Sequence, residues 1–167
     1  NLNNLVRAGR VDGTQLTIFR RLLANLRLPA ELAEGIADWL DADDEPLGPA
    51  SAENDYYRQQ ARPVDAANRA IVNLNELLPV RGMDARLLGQ LRPYVTVLPG
   101  FSRVNVNTAA PELLAALSDD LGLDDAYALA AQRDKAHFRN LGDLRNALGA
   151  RGSLDERQVA FASQYFL

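Results

Sequence analysis

Cysteine is absent from the 167 residues, while histidine, methionine and tryptophan are almost so, with one of each in His137, Met83 and Trp39. The missing thiols exclude disulfides, a thiolate nucleophile and a cysteine-held zinc site. His137, in "KAHFRN", has no serine beside it to activate, so the sequence reads as non-enzymatic. Lysine is reduced to Lys135, and seventeen arginines carry the other positive charges. These are scattered, the densest pair being Arg20 and Arg21 on an apparent amphipathic helix. With a net charge of -4 and no local basic patch, nucleic acid is not an expected partner. No apolar run approaches the roughly 18 residues that a membrane span requires, and the opening residues do not read as a signal peptide.

What is present is a chain 47% hydrophobic and 24% charged, enough to bury a core in one domain or two small ones. Its periodicity is helical. Leu16, Phe19, Leu22, Leu23 and Leu26 recur at three- and four-residue steps behind a candidate cap at Thr14. Pro29 suits the first turn of a second helix with Leu32, Ile36 and Leu40 on one face. Asp84 caps a helix over 85–91, and "YVTVL" reads as a short extended piece. Further helices are expected from Asn107 or Thr108 through Leu117, from Asp124 through Arg133, and over 141–148 with Gly149 closing it. Ser153 and Glu156 spell a capping box for a last helix before the chain turns extended at Phe161. Both ends, "NLNNL" and "ASQYFL", are rich in strand-forming residues and read as cut edges of something larger.

The acidic stretch "DWLDADDEPLGPASAENDYY", residues 38–57, runs against this mixed background. Asp38 and Asp41 fall in the last turn of a helix, where the exposed carbonyls already present partial negative charge, and Asp43, Asp44 and Glu45 follow directly. Such crowding needs either dispersal into water or a shared cation. Calcium, which takes about 6 to 8 oxygen ligands in flexible geometry, is the natural counter-ion. Asp41, Asp43 and Glu45 match the first, third and fifth positions of an EF-hand loop, but Pro46 stands where its glycine belongs, and the closing glutamate arrives one residue late as Glu53. The loop is therefore not an EF-hand. Pro46, Gly48 and Pro49 are turn formers that would fold Glu53 back over Asp41 and Asp43. A solvated acidic loop is the alternative, against which stand the paired aromatics Tyr56 and Tyr57.

Three segments, 73–83 ("NLNELLPVRGM"), 104–117 ("VNVNTAAPELLAAL") and 138–152 ("FRNLGDLRNALGARG"), look like helix-hairpin-helix modules of the SAM-like class. A DNA-binding module is thus the rival function. Its phosphate-gripping form needs a glycine pair with flanking lysines, whereas these hairpins carry Arg81, Gly82 and Met83, and Leu148, Gly149 and Ala150. Hairpins that serve only as packing units fit better.

Taken together, the order of "NLNNL", "DWLDADDEP", "AENDYY", "ANRAIVNLNELLPVRGM", "LRPYVTVLP", "VNVNTAAPELLAAL" and "FASQYFL" resembles, from end to end, the protein K (GspK) family of minor pseudopilins in the general, or type II, secretion pathway. The resemblance implies a mainly α fold: a large helical domain with SAM-like modules, inserted into a pilin-like α+β fold of which only edge strands remain. Residues 1–10 would be a pilin-like strand segment, 11–103 the first helical part with the acidic calcium loop, 104–157 a second SAM-like part, and 158–167 the returning strand, with the two end strands pairing. It also implies structural calcium. Carried over by position, the metal-ligand candidates are Asp41, Asp43, Asp44 and Glu53, supplemented by Asp38, Asp55 and carbonyls of the 46–51 loop. The implied role is non-catalytic: the tip subunit of the periplasmic pseudopilus, helping to initiate its assembly, its bulky head too wide to sit beneath another subunit. The implied partners are minor pseudopilins I and J, and H, with contact to the secretin or to secreted substrates. The implied location is the periplasmic domain of a bacterial inner-membrane protein, anchored by an N-terminal helix outside this sequence.

Overall fold

A computed structural model describes residues 1–162. It contains helices α1 (Gly13–Asn25), α2 (Leu32–Leu40), α3 (Asn54–Arg58), α4 (Ala85–Leu91), α5 (Pro111–Ala116), α6 (Leu123–Lys135) and α7 (Leu141–Leu148). Its four strands have two residues each: β1 (Val6–Arg7), β2 (Arg10–Val11), β3 (Val104–Asn105) and β4 (Val159–Ala160). The mainly α expectation holds.

The amphipathic stripe of α1 buries Leu16, Phe19, Leu22 and Leu23, as its spacing predicts. Its cap is Asp12 rather than Thr14, because the Asp12 carboxylate reaches the Thr14 and Gln15 amides at 3.0 and 3.1 Å. One core gathers α1, α2, α4 and Tyr57, and a second gathers α5, α6, α7 and β4. Ile18 of α1 and Leu113 of α5 pack against both, so the two cores meet across the α1–α5 contact. Helix α7 forms where its sequence places it, capped by the Asn140 side chain on the Asp143 amide and ended by Gly149 at φ 55°.

Three expectations are corrected. First, "NLNNL" is a single 3₁₀ turn, Leu2–Leu5, not an extended strand. Its asparagines act as peptide mimics that tie distant segments. Asn3 exchanges two hydrogen bonds with the Ile71 backbone at 2.9 and 3.0 Å, and buried Asn4 does the same with Ser102 at 2.7 and 3.0 Å. Second, α5 begins at Pro111, because the Asn107 side chain is already committed. It donates to the Phe138 and Phe161 carbonyls and accepts from the Phe138 amide. Third, among the described residues no helix follows Ser153. Asp155 folds a turn by accepting the Arg157 amide at 2.9 Å, and the chain continues into β4.

The pairing of the two ends is also absent among the described residues. Strands β1 and β2 form a short antiparallel hairpin, and β4 pairs in parallel with β3, Val104 opposite Val159. The rest of the expected returning strand, residues 163–167, lies outside the described residues. Of "YVTVL", Tyr94 ends a 3₁₀ turn (Arg92–Tyr94); the rest has no sheet partner among the described residues, its Thr96 carbonyl accepting the Leu2 amide at 2.9 Å.

Candidate metal centre

Helix α2 is apolar nearly all round, so most of its residues are buried, and Asp38 goes inside with its neighbours Ala37 and Trp39. Asp41 ends the helix. Its amide closes the last turn onto Ala37, and its own backbone is extended at φ −74° and ψ 179°. Residues three apart share a helix face, so both carboxylates point into the same space. The loop then folds back. The Leu47 amide lies 3.1 and 3.3 Å from the two Asp38 oxygens, and the buried Ser51 hydroxyl, close enough to act on Asp38, donates to the Gly48 carbonyl at 2.7 Å and accepts the Gly48 amide at 2.9 Å.

Glu53 closes the loop from the other side. It precedes α3, whose Tyr56 and Tyr57 amides bond to the Glu53 main-chain carbonyl at 3.0 and 3.2 Å. Its carboxylate makes no capping bond and is turned inward. Tyr57 fixes this geometry: fully buried, it stacks edge-on against Trp39 with centroids 4.8 Å apart. Burying a side chain of this kind contributes about 1.5 to 3 kcal/mol.

The result is three carboxyl groups, Asp38, Asp41 and Glu53, exposed by only 0%, 2% and 5%. Asp41 Oδ1 and both Glu53 oxygens are buried with no hydrogen-bond partner. Burial, reinforced by Asp43 and Asp38, pushes the Asp41 carboxyl up to about 7. Burial and the charges of Asp38, Asp41, Asp44 and Asp43 push Glu53 up to about 8. Asp38 is raised by burial, partly offset by Ser51 and the Leu47 amide. No arginine is among the leading causes of these shifts, and among the described residues none of the ion pairs includes Asp38, Asp41 or Glu53, so the fold brings these acids together without pairing them to a positive side chain. A buried unpaired charge costs several kcal/mol.

The other three candidates stand further out. Asp43 and Asp44 are exposed on the loop, the first accepting the Glu45 amide at 3.0 Å and the second the Asn54 amide side chain at 2.7 Å. Both lie close enough to act on Glu53. Asp55 is exposed in the first turn of α3, and it is not among the leading charges acting on the three buried acids. Ser51, Trp39 and Tyr57 complete the surroundings. Of these, Ser51 has no sequence signal, since serine in a Pro/Gly-rich loop reads as an ordinary turn residue.

Among the described residues, no group of three or more Asp, Glu, His or Cys side chains is placed so that it could hold a metal ion as it stands. The donor set nevertheless fits a hard cation. It is all oxygen, its inner oxygens are unpartnered, and the loop is irregular enough to add carbonyls. Nitrogen and sulfur ligands suited to zinc are missing, and magnesium demands a stricter octahedron than a loop of this kind offers.

Comparison with known proteins places the chain. Two family models, each described as type II secretion system protein K, match residues 1–100 and 104–163. The chain belongs to the type II secretion system protein K family. Type II secretion system protein K of Pseudomonas aeruginosa is 36% identical over 171 residues, covering 99% of this chain and 51% of that protein. The Dickeya chrysanthemi protein is 37% identical over 153 residues, covering 85% and 42% respectively. The chain thus spans about half the length of the curated relatives it matches. The fold matches a chain in the crystal structure of the GspK-GspI-GspJ complex of enterotoxigenic Escherichia coli, with TM-score 0.75 and 28% identity over 98% of this chain and 61% of that one. Among the described residues, no helix of this protein K chain is long and apolar enough to cross a membrane.

Proposed function

We propose that this chain is the helical head of a minor pseudopilin, the tip subunit of the periplasmic pseudopilus, acting in protein secretion as a structural and not a catalytic part. The reading rests on family membership and on a likeness, over 98% of this chain, to a chain of the crystallised GspK-GspI-GspJ complex. By that likeness its partners are minor pseudopilins I and J, with H, and the full-length protein sits in the periplasm on an inner-membrane anchor. Its paired helices, such as α6 and α7, are SAM-like packing units. The chain's arginines do not form a bare basic stripe for DNA: among the described residues, eight are held in ion pairs, such as Arg20–Glu34, Arg58–Asp65 and Arg139–Asp143.

Calcium stabilises this head. The observation that carries the assignment is the set of unpartnered, buried oxygens of Asp41 and Glu53 beside Asp38. These three residues would hold the ion, with Asp43, Asp44 and carbonyls of the 46–51 loop completing the shell. When bound, the ion supplies the positive charge that the protein lacks here. Asp55 stays on the surface. The chain's own residues do the positioning: α2 holds Asp38 and Asp41 on one face, and Tyr57 anchors the helix that presents Glu53.

The functional reading is tested by mixing the chain, and a longer form carrying the remaining half, with soluble I and J and resolving the mixture by size-exclusion chromatography. Co-elution of the longer form with both partners is expected. Failure of the longer form to co-elute with either one contradicts the tip assignment.

A further inference from the structure

The hairpin "VRGM" carries an arginine whose use the secretion role does not explain. Arg81 is exposed, yet its guanidinium is engaged on three sides. Its Nη1 lies 3.3 Å from the Ser51 carbonyl and 3.5 Å from that of Pro49, and its Cζ sits 5.2 Å from the centroid of the Tyr56 ring. Its main-chain N–H donates to the Tyr57 hydroxyl at 3.4 Å. These contacts join the hairpin to both ends of the segment that presents Glu53.

The hairpin itself is held rigidly. Val80 and Met83 close consecutive turns onto Leu77 and Val80, and Gly82 takes φ +81°, which an L side chain rarely adopts. It lies directly on the helix that carries Asp38 and Asp41: a Cβ on Gly35 would stand 3.4 Å from Val80 Cγ1 and 3.8 Å from the Arg81 carbonyl. The acids on α2 and the acid beside α3 are therefore referenced to one common support. Arg81 is the charged link in it.

We propose that Arg81 is the positioning residue of the acidic loop, fastening the 49–51 carbonyls and Tyr56 to the 78–83 hairpin so that Glu53 is held closed over Asp38 and Asp41. The proposal rests on the calcium reading above. Each contact is long for a hydrogen bond and both carbonyls share the one Nη1, but the donor is charged and the planar guanidinium is also held over the Tyr56 ring, so the set resists loop opening. A loop closed in advance loses less freedom when a cation binds, and the affinity rises accordingly. Arg81 takes no part in the shell itself, because its guanidinium is occupied by the Pro49 and Ser51 carbonyls and the Tyr56 ring.

The test uses the whole chain with Arg81→Ala, Arg81→Lys and, as a surface control, Arg86→Ala. Two readouts are needed: calcium titration by calorimetry, and hydrogen exchange of the Leu47 and Ser51 amides in chelator. Arg81→Ala is expected to weaken calcium binding about five- to ten-fold and speed exchange at both amides, because a pre-organised loop is lost. Arg81→Lys restores part of each, since it supplies charge without the planar guanidinium over Tyr56. Arg86→Ala leaves both unchanged. If the unmodified chain binds calcium and Arg81→Ala binds it equally well, the positioning role is overturned while the metal reading stands. If the unmodified chain binds no calcium, the metal reading fails, and the exchange measurement alone decides the latch. Unchanged exchange in Arg81→Ala overturns it. Should Arg81→Ala not fold, Arg81→Lys carries the same comparison, with a smaller shift of the same sign expected and no shift contradicting the proposal.

Discussion

Glu53 and Asp41 repel one another inside the fold, and three of their four carboxylate oxygens have no hydrogen-bond partner. A chain that stabilised itself by pairing alone would place an arginine there, and this one has seventeen to draw on. Arg58 is spent on Asp65, and Arg81 on carbonyls and Tyr56. The missing charge is the reason for assigning a cation, and it gives the stability of this domain an unusual dependence on pH.

In chelator, the native Asp41 and Glu53 keep their protons up to about 7 and about 8, from ordinary values of 3.8 and 4.5. Between those limits the native state binds more protons than the unfolded one, so stability falls as pH rises. The melting temperature of the metal-free chain is expected to drop between pH 5 and pH 8. In millimolar calcium the drop should vanish or reverse, because the ion displaces those protons. Melting curves at both pH values, with and without calcium, check this, and a metal-free chain more stable at pH 8 than at pH 5 contradicts it.

Glu53→Gln should act with opposite signs in the two media. Without metal it removes a carboxyl that, raised to about 8, is about half ionised at pH 8 with nothing to neutralise it, and the chain becomes more stable at that pH by about 1 to 2 kcal/mol. With calcium it removes a ligand, and affinity falls at least ten-fold. Urea unfolding at pH 8 with and without the ion measures both. A residue with only a packing role would shift the two conditions alike.

Asp55→Asn separates position in the sequence from position in space. Asp55 belongs to the same acidic stretch but is exposed in the first turn of α3. Calcium affinity by calorimetry is expected to stay within about two-fold, the size of a screened surface charge effect, whereas Asp41→Asn should weaken binding at least ten-fold.

Asn107→Ala tests the second core without touching the loop. The substitution strips the Phe138 N–H and carbonyl and the Phe161 carbonyl of their side-chain partner. Leaving partly buried peptide groups unpaired costs about 2 to 3 kcal/mol in all. The urea midpoint should fall accordingly, with calcium affinity unchanged.

The sequence made the helices legible where an apolar stripe and a cap agreed, as in α1, α4 and α7. It misled where a polar side chain was committed elsewhere. Asn107 reads as a helix cap but braces Phe138, and Asn3 and Asn4 sit in an apolar context that looks like a strand although their amides tie down Ile71 and Ser102. Ser153 and Glu156 have the right spacing for a capping box, yet the Asp155 side chain takes the Arg157 amide first. Such long-range or competing bonds leave no periodic trace. The acidic loop was visible as a cluster, but its sorting was not. Burial separates Asp38, Asp41 and Glu53 from Asp43, Asp44 and Asp55, and burial here depends on α2 being apolar on every side and on Tyr57 anchoring α3.

The most direct measurement is a calcium titration of the chelator-stripped chain at pH 7 to 8, by calorimetry and by melting temperature on the same sample. Loop sites of this class have dissociation constants of roughly 10⁻⁴ to 10⁻³ M, and at a hundred-fold excess over the dissociation constant the gain in stability is about 2.7 kcal/mol. A saturable heat with a rise in melting temperature is the predicted result. No heat and no change in melting at about 10 mM calcium, well above the range in which such sites fill, contradicts the account.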